Sequence, residues 1–196
     1  MRIGVLISGN GSNLQSIIDN EKYINAKVEV VISSKDSYGL ERARNHNIDA
    51  YYETDEEKII TILKEKNVDL VVLAGYLTII SPKFVDSFKD RIINIHPSLI
   101  PSFCGKGYYG MNVHKNVINS GVKVSGATVH FVDYLADTGP IIMQDIVYIE
   151  NNDDEISLSK KVLEVEHRIL VESIKLFVEN KLKIEGKRVI INEGVN

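Results

Sequence analysis

Asn94 and His96 are the residues whose types and spacing most directly offer chemistry in this sequence. They head the stretch Asn94-Ile95-His96-Pro97-Ser98-Leu99-Ile100-Pro101, directly after the apolar pair Ile92-Ile93. In an extended strand, residues i and i+2 share a face, so the amide and the imidazole point together into a cleft at the strand's carboxyl end. Two prolines fix φ and stiffen the loop that follows. An amide that donates two hydrogen bonds and an imidazole that carries or hands over a proton are what a carbonyl transfer needs beside its reacting carbon. Asp137, in the turn Asp137-Thr138-Gly139-Pro140, adds a carboxylate that would raise an imidazole's pKa and orient it. Together the three suit acyl transfer, with the donors holding a developing oxyanion. A capping asparagine and a structural histidine are the alternative reading of the same residues. No Gly-x-Ser-x-Gly elbow supplies a covalent nucleophile, and no nucleophile signature surrounds Cys104, so a substrate must bring the attacking group.

A second candidate lies at the start of the chain. Ile3-Gly4-Val5-Leu6-Ile7 runs into Ser8-Gly9-Asn10-Gly11-Ser12-Asn13 and then into Leu14-Gln15-Ser16-Ile17-Ile18, whose apolar spacing is helical. Strand, glycine-rich turn and helix leave main-chain N–H groups free at a helix N-terminus, where the helix dipole favours an anion. Leu14 stands where the dinucleotide fingerprint needs its third glycine, and no Gly-Lys-Ser/Thr follows, so the turn is either a monophosphate site or a capped tight turn.

The elements that must position these groups alternate. Val28–Ser33 and Asp69–Tyr76 read as buried strands, Tyr38–Asn45 and Glu56–Lys66 as helices, and Ser81-Pro82 opens a short helix through Phe88 before the strand that ends at Asn94. Strands alternating with helices specify a parallel sheet with right-handed crossovers. After the glycine-rich loop Cys104–Gly110, the helix Val113–Asn119 is followed by two strands in succession, Val124–Val132 and Ile141–Tyr148, which implies an antiparallel edge. Leu158–Glu179 carries apolar residues at helical spacing, and Lys183–Asn192 is a last strand or a loose arm. The expected fold is therefore α/β, a single doubly wound, mostly parallel Rossmann-like sheet with antiparallel edge strands in the C-terminal half.

Whole-chain properties bound the function. With 196 residues, 44% hydrophobic and 26% charged, the composition is that of one soluble globular domain spanning 1–196. The net charge of -4 gives no support for nucleic-acid binding, no apolar run reaches the length of a membrane span, and the N-terminus lacks a signal peptide. One cysteine forms no internal disulfide, consistent with a cytoplasmic protein. No Cys, His and carboxylate spacing suggests a metal. His46, His114, His130 and His167 read as structural, with His114, at the opening of a helix, the strongest exception.

The chain resembles the phosphoribosylglycinamide formyltransferases, the folate-dependent enzymes of purine biosynthesis. The resemblance runs through Leu6–Gln15, Gly39-Leu40-Glu41-Arg42-Ala43, Leu73-Ala74-Gly75-Tyr76, Asn94–Leu99, Gly126–Val132 and Asp137–Ile142. The Asn-x-His-Pro-Ser-Leu and Asp-x-Gly-Pro elements are shared with other formyl-group enzymes, whereas the Ser-Gly-Asn-Gly-Ser-Asn turn looks specific to the ribonucleotide substrate. What the resemblance implies is transfer of the formyl group of 10-formyltetrahydrofolate, a co-substrate used without metal, to the amine of 5-phosphoribosylglycinamide. Asn94, His96 and Asp137 are then catalytic. Gly11, Ser12 and Asn13 hold the ribonucleotide phosphate, and Leu163, Glu164, Val165 and Glu166 contact the same substrate, Glu166 through its side chain. The folate lies along Leu77, Thr78, Ile79 and Ile80, beside Asn94, and under the loop Asp133, Tyr134, Leu135, Ala136 and Asp137. The ribonucleotide phosphate falls in an N-terminal half, about 1–100, and the folate and catalytic groups in a C-terminal half, about 101–196. Tyr134 stands where the family usually has an acid and Ala136 where it has a larger aliphatic residue. Lys58 is the nearest substitute for a basic residue that members often place near the folate, and the loop Gly105–Met111 varies in length among them. The expected partners are small molecules, with no nucleic acid and no membrane, in a monomer or homodimer. Methionyl-tRNA formyltransferase and formyltetrahydrofolate deformylase share the chemistry but usually carry an extra domain. A phosphate-binding module without activity would need Gly9–Asn13 and not Asn94, His96 or Asp137.

Overall fold

β1 (Arg2–Ile7) is buried from its second residue on and opens into the glycine-rich turn, after which α1 (Ser12–Asp19) and the single turn α2 (Glu21–Ile24) lead to β2 (Lys27–Ser33). α3 (Tyr38–Asn45), β3 (Asp49–Tyr52), α4 (Glu56–Glu65), β4 (Leu70–Leu73), α5 (Pro82–Ser87) and β5 (Ile92–His96) complete the alternating half. Then come α6 (Met111–Ser120), β6 (Val124–Phe131), β7 (Ile141–Tyr148), α7 (Glu155–Val178), β8 (Leu182–Glu185) and β9 (Arg188–Ile191). This computed structural model describes residues 1–192, and the last four of the expected domain 1–196 lie outside the described residues.

Among the described residues, nine strands form one sheet in the order β3-β2-β1-β4-β5-β6-β7-β9-β8. The first five are parallel, β6 and β7 are antiparallel to their predecessors, and the tail folds into the hairpin β8–β9, which joins β7 through one parallel pairing. The expected antiparallel strands β6 and β7 are thus interior, and the hairpin takes the edge. β1 lies between β2 and β4, so the strand order reverses there, the place where open α/β sheets form a crevice at the strands' carboxyl ends.

Both faces of the parallel half are covered. Ile3, Val5, Ile7, Val31, Val72, Ile93 and Ile95 pack with α1, α3, α6 and α7, while Leu6, Val30, Ile32, Val71 and Ile92 pack with α4 and α5. Burial on both sides is why these strands read as continuous apolar runs. α7 starts ahead of the expected Leu158 because Asp154 and Ser157 form a capping box, their side chains each satisfying the other's main chain. β4 ends before the expected Tyr76 because the chain leaves the strand and Gly75 adopts φ +73. β5 runs two residues beyond Asn94, through His96. β3 had no apolar alternation to reveal it, since it is an exposed edge strand held by main-chain pairing to β2. Among the described residues, no helix is long and apolar enough to cross a membrane.

Candidate active site

Asn94 and His96, on one face of β5, reach opposite oxygens of one carboxylate. Asn94 Nδ2 is 3.5 Å from Asp137 Oδ1, and His96 Nδ1 is 3.6 Å from Asp137 Oδ2. Asp137 is brought there by the loop after β6, which doubles back so that Phe131 N–H donates to the carbonyl of Pro140. Gly139 makes this fold possible: a Cβ there would sit 1.9 Å from the Phe131 carbonyl oxygen. Asp137 itself has φ +58, a left-handed conformation that non-glycine residues seldom adopt and that is held at functional sites by surrounding structure. Here the Gly105 N–H supplies that hold, donating to Asp137 Oδ2 at 2.8 Å.

The loop after β5 completes the cluster. His96 Nε2 lies 3.0 Å from the Phe103 carbonyl oxygen, an acceptor, so Nε2 carries a proton. Thr128 on β6 pins this loop, donating to the Ser98 carbonyl and accepting from the Ile100 N–H. Phe103 and Tyr108 meet edge-on with ring centroids 6.2 Å apart, which joins Cys104–Gly110 to the same structure. His130 faces Asn94 across the β5–β6 ladder, with its Nε2 3.0 Å from Asn94 Nδ2 and 3.7 Å from Asp137 Oδ1.

Burial and charge compete at these groups. Burial lowers the His96 pKa, and although Asp137 and the Phe103 carbonyl push it up, the net change is downward. The expected gain in basicity from Asp137 is present but outweighed by desolvation. Burial raises the Asp137 carboxyl, yet the nearby His96 and the Gly105 N–H help hold it below the usual carboxylate range. His114, buried at the start of α6, is lowered to about 4 by burial and by its proximity to His96, and its Nδ1 has no hydrogen-bond partner. Burial and the nearby Asp137 charge raise the Cys104 thiol, the opposite of what a nucleophilic thiolate needs.

The second candidate turn has the geometry of an anion site. Gly11 has φ +74, and a Cβ on it would lie 2.9 Å from Gly39 Cα, so the turn closes against α3 only with glycine there. No side chain caps α1, which leaves its first N–H groups to an outside acceptor. Arg42 on α3 bridges the turn, its Nε donating to the Asn10 carbonyl at 2.8 Å. Asn13 is buried and donates to Glu166 Oε2 at 2.7 Å, while Asn13 Oδ1 has no partner. Glu166 is only 8% exposed, and burial pushes its carboxyl up to about 7, partly offset by Asn13. Leu163, Glu164 and Val165 precede it on α7.

The segment assigned to the folate follows β4 and is apolar and open. Leu77 and Ile79 are exposed while Ile80 packs on the core, and the Leu77 N–H donates to Ser8 Oγ at 2.8 Å. Thr78 is also exposed. In the loop after β6, Leu135 and Ala136 are exposed, Asp133 accepts from the Leu135 N–H and the Thr138 hydroxyl, and Tyr134 donates to Asp86 on α5 at 2.6 Å. Lys58 is directed to Glu53, 3.7 Å away.

The structure therefore gathers Asn94, His96 and Asp137 into one cluster and Gly11–Asn13 with Glu166 into another, each drawing on both halves of the chain. Sequence reasoning missed His130, the Gly105 N–H and the Phe103 carbonyl. His130 is one of several polar residues, with Ser125 and Thr128, in a buried strand, and its partner follows from strand register alone.

The chain matches the formyl transferase family over residues 1–174. It is 39% identical to phosphoribosylglycinamide formyltransferase of Escherichia coli, over 94% of this chain and 90% of that protein. It is 40% identical to the chloroplastic phosphoribosylglycinamide formyltransferase of Vigna unguiculata, over 92% of this chain and 62% of the relative, so it spans somewhat under two thirds of that protein. Among solved structures, glycinamide ribonucleotide transformylase 1 from Symbiobacterium toebii superimposes with a TM-score of 0.91 at 44% identity, covering 97% of this chain and 93% of that one.

Proposed function

The chain belongs to the phosphoribosylglycinamide formyltransferase family, and from that premise we propose that it transfers the formyl group of 10-formyltetrahydrofolate to the amine of 5-phosphoribosylglycinamide. The products are formylglycinamide ribonucleotide and tetrahydrofolate, in purine biosynthesis. The observation that carries the reading is the approach of Asn94 and His96 to the two oxygens of Asp137. A protein that only bound a phosphate would need the Gly9–Asn13 turn and not this cluster.

The ribonucleotide phosphate rests on the N–H groups of Gly11, Ser12 and Asn13, where the α1 dipole favours negative charge. Glu166 and the unpartnered Asn13 Oδ1 meet the donors of the same substrate. The folate, which supplies the formyl carbon, lies on the exposed Leu77 and Ile79 side chains and under the loop that carries the exposed Leu135. These apolar surfaces suit a flat pterin and its linker. Asp137 also borders this cleft, together with Asp133, Tyr134 and Ala136.

Attack of the amine on the formyl carbon forms a C–N bond and moves negative charge to the formyl oxygen. The Asn94 amide donates to that oxygen. Burial leaves His96 able to take the proton that the amine loses, and Asp137 stabilises the resulting imidazolium. The proton then passes to the tetrahydrofolate nitrogen as its bond to carbon breaks. No covalent enzyme intermediate is required. Both partners are small molecules, and a single free cysteine, Cys104, suits a cytoplasmic setting.

A spectroscopic turnover assay with 10-formyltetrahydrofolate tests the reading, run with the ribonucleotide and with water as the only acceptor. Tetrahydrofolate formation that requires the ribonucleotide supports the transferase. Release of formate without it would identify a deformylase. No reaction in either mixture would leave a binding module, and full activity of His96→Ala would refute the catalytic role given to His96.

A further inference from the structure

His130 lies outside the three proposed catalytic groups, yet it is 1% exposed and touches two of them. Its ring is fixed at both nitrogens. Nδ1 is 2.7 Å from the carbonyl oxygen of Phe131. A carbonyl only accepts, so Nδ1 must carry the proton, and in the neutral ring Nε2 then presents a lone pair. The polar group nearest that lone pair is Asn94 Nδ2, at 3.0 Å, while Asp137 Oδ1, itself an acceptor, stands back at 3.7 Å.

An asparagine amide reads almost the same in either flip, so its orientation must come from its neighbours. The reaction needs N–H, not the carbonyl oxygen, at the developing oxyanion. On the basis of this geometry, and resting on the transferase reading above, we propose that His130 is a positioning residue whose Nδ1–H tautomer, fixed by the Phe131 carbonyl, turns the NH₂ group of Asn94 toward the reaction centre. One amide hydrogen is held by His130 Nε2 and the other is left to the formyl oxygen, with Asp137 Oδ1 3.5 Å from the same nitrogen. The β5–β6 register supplies the precision, since Asn94 and His130 are directly paired in the ladder. Without an acceptor at this position, the amide is free to turn its oxygen toward the substrate oxyanion, where it would repel it.

Two measurements test the assignment. The first is kcat and KM for both substrates in the parent, His130→Ala, His130→Gln, Asn94→Ala and the His130→Ala/Asn94→Ala double variant. A glutamine carbonyl reaches about where Nε2 sits and accepts from Asn94. Loss of one oxyanion donor costs roughly a hundredfold to a thousandfold in kcat, and a misoriented one is expected to cost at least about tenfold. His130→Ala should therefore lose about tenfold or more in kcat with both KM values within about twofold of the parent, and His130→Gln should recover most of it. In the Asn94→Ala background, His130→Ala should change kcat less than about twofold, because the group it positions is gone. An equal loss in both backgrounds, or no loss in His130→Ala, would overturn the proposal. The second measurement, a long-range ¹H–¹⁵N spectrum of the imidazoles at pH 8, does not depend on turnover. It should show His130 protonated on Nδ1 and bare on Nε2, and the reverse tautomer would overturn the assignment even in an active enzyme. Absence of any formyl transfer by the parent would instead count against the transferase reading, leaving the tautomer to be read by itself.

Discussion

Replacing Glu166 by Gln should abolish a pH dependence of stability that this one carboxyl creates. Glu166 is 8% exposed, and Asn13 Nδ2, 2.7 Å away, is its hydrogen-bond partner. Burial, partly offset by Asn13, moves its pKa from the ordinary 4.5 up to about 7. A carboxyl raised in this way stays protonated in the folded protein while the unfolded chain has already released its proton. Between pH 4.5 and about 7 the folded state therefore binds more protons, and stability falls as pH rises through that window. At about 1.36 kcal/mol per pH unit the fall comes to about 3 kcal/mol. His96, His114 and His167 work in the opposite direction, because their lowered pKa values favour the folded state above the ordinary 6.5 and cost stability as pH falls. They are present in both proteins, so the difference between parent and Glu166→Gln isolates the carboxyl. The assay is urea unfolding of both proteins at several pH values from about 5 to 8, with fluorescence or circular dichroism as the probe. Relative to the variant, the parent should lose about 2.5 kcal/mol across that range, the rest of the fall lying below pH 5. A difference that stays constant within about 0.5 kcal/mol would refute the reasoning and show that the carboxyl titrates as an ordinary surface acid.

Asn94→Ala should lower kcat roughly a hundredfold to a thousandfold with little change in either KM, as expected when a donor acts mainly in the transition state, and steady-state kinetics read this directly. Gly11→Ala puts a Cβ at φ +74 and 2.9 Å from Gly39 Cα, so it should cost about 1–3 kcal/mol in chemical denaturation and raise KM for the ribonucleotide more than for the folate. His114→Leu removes an imidazole whose pKa is about 4 folded and 6.5 ordinarily. The stability lost by the parent as pH falls from 6.5 toward 4 should therefore be shallower in the variant, read as the thermal midpoint across that range.

Composition and periodicity were enough to specify the alternating half of the sheet. Strands such as β1 and β2 are buried on both faces and read as unbroken apolar runs, and helices such as α4 show one apolar stripe, because each pattern reflects contacts that the element makes along its own length. The spacing of Asn94 and His96 likewise predicted their shared face, a local property of extended backbone. Asp137 was recognisable by its turn and by family resemblance, and the tertiary fold brings it to β5 by doubling the chain back against β6 where Gly139 allows the approach. β3 escaped, and the β8–β9 hairpin was legible only as a last strand or a loose arm, because exposed strands at the sheet's margins take their order from main-chain pairing, which leaves little mark on side-chain type. The protonation balance was equally hidden. Sequence supplies an imidazole and a carboxylate, but only the tertiary structure decides that burial lowers His96 in pKa, that neighbouring donors hold Asp137 down against its burial, and that burial lifts Glu166 to about 7. His130 shows the division most clearly. Its identity is written in the chain, but its contact with Asn94 exists because two antiparallel strands pair in one register, and register is decided by the packed sheet as a whole.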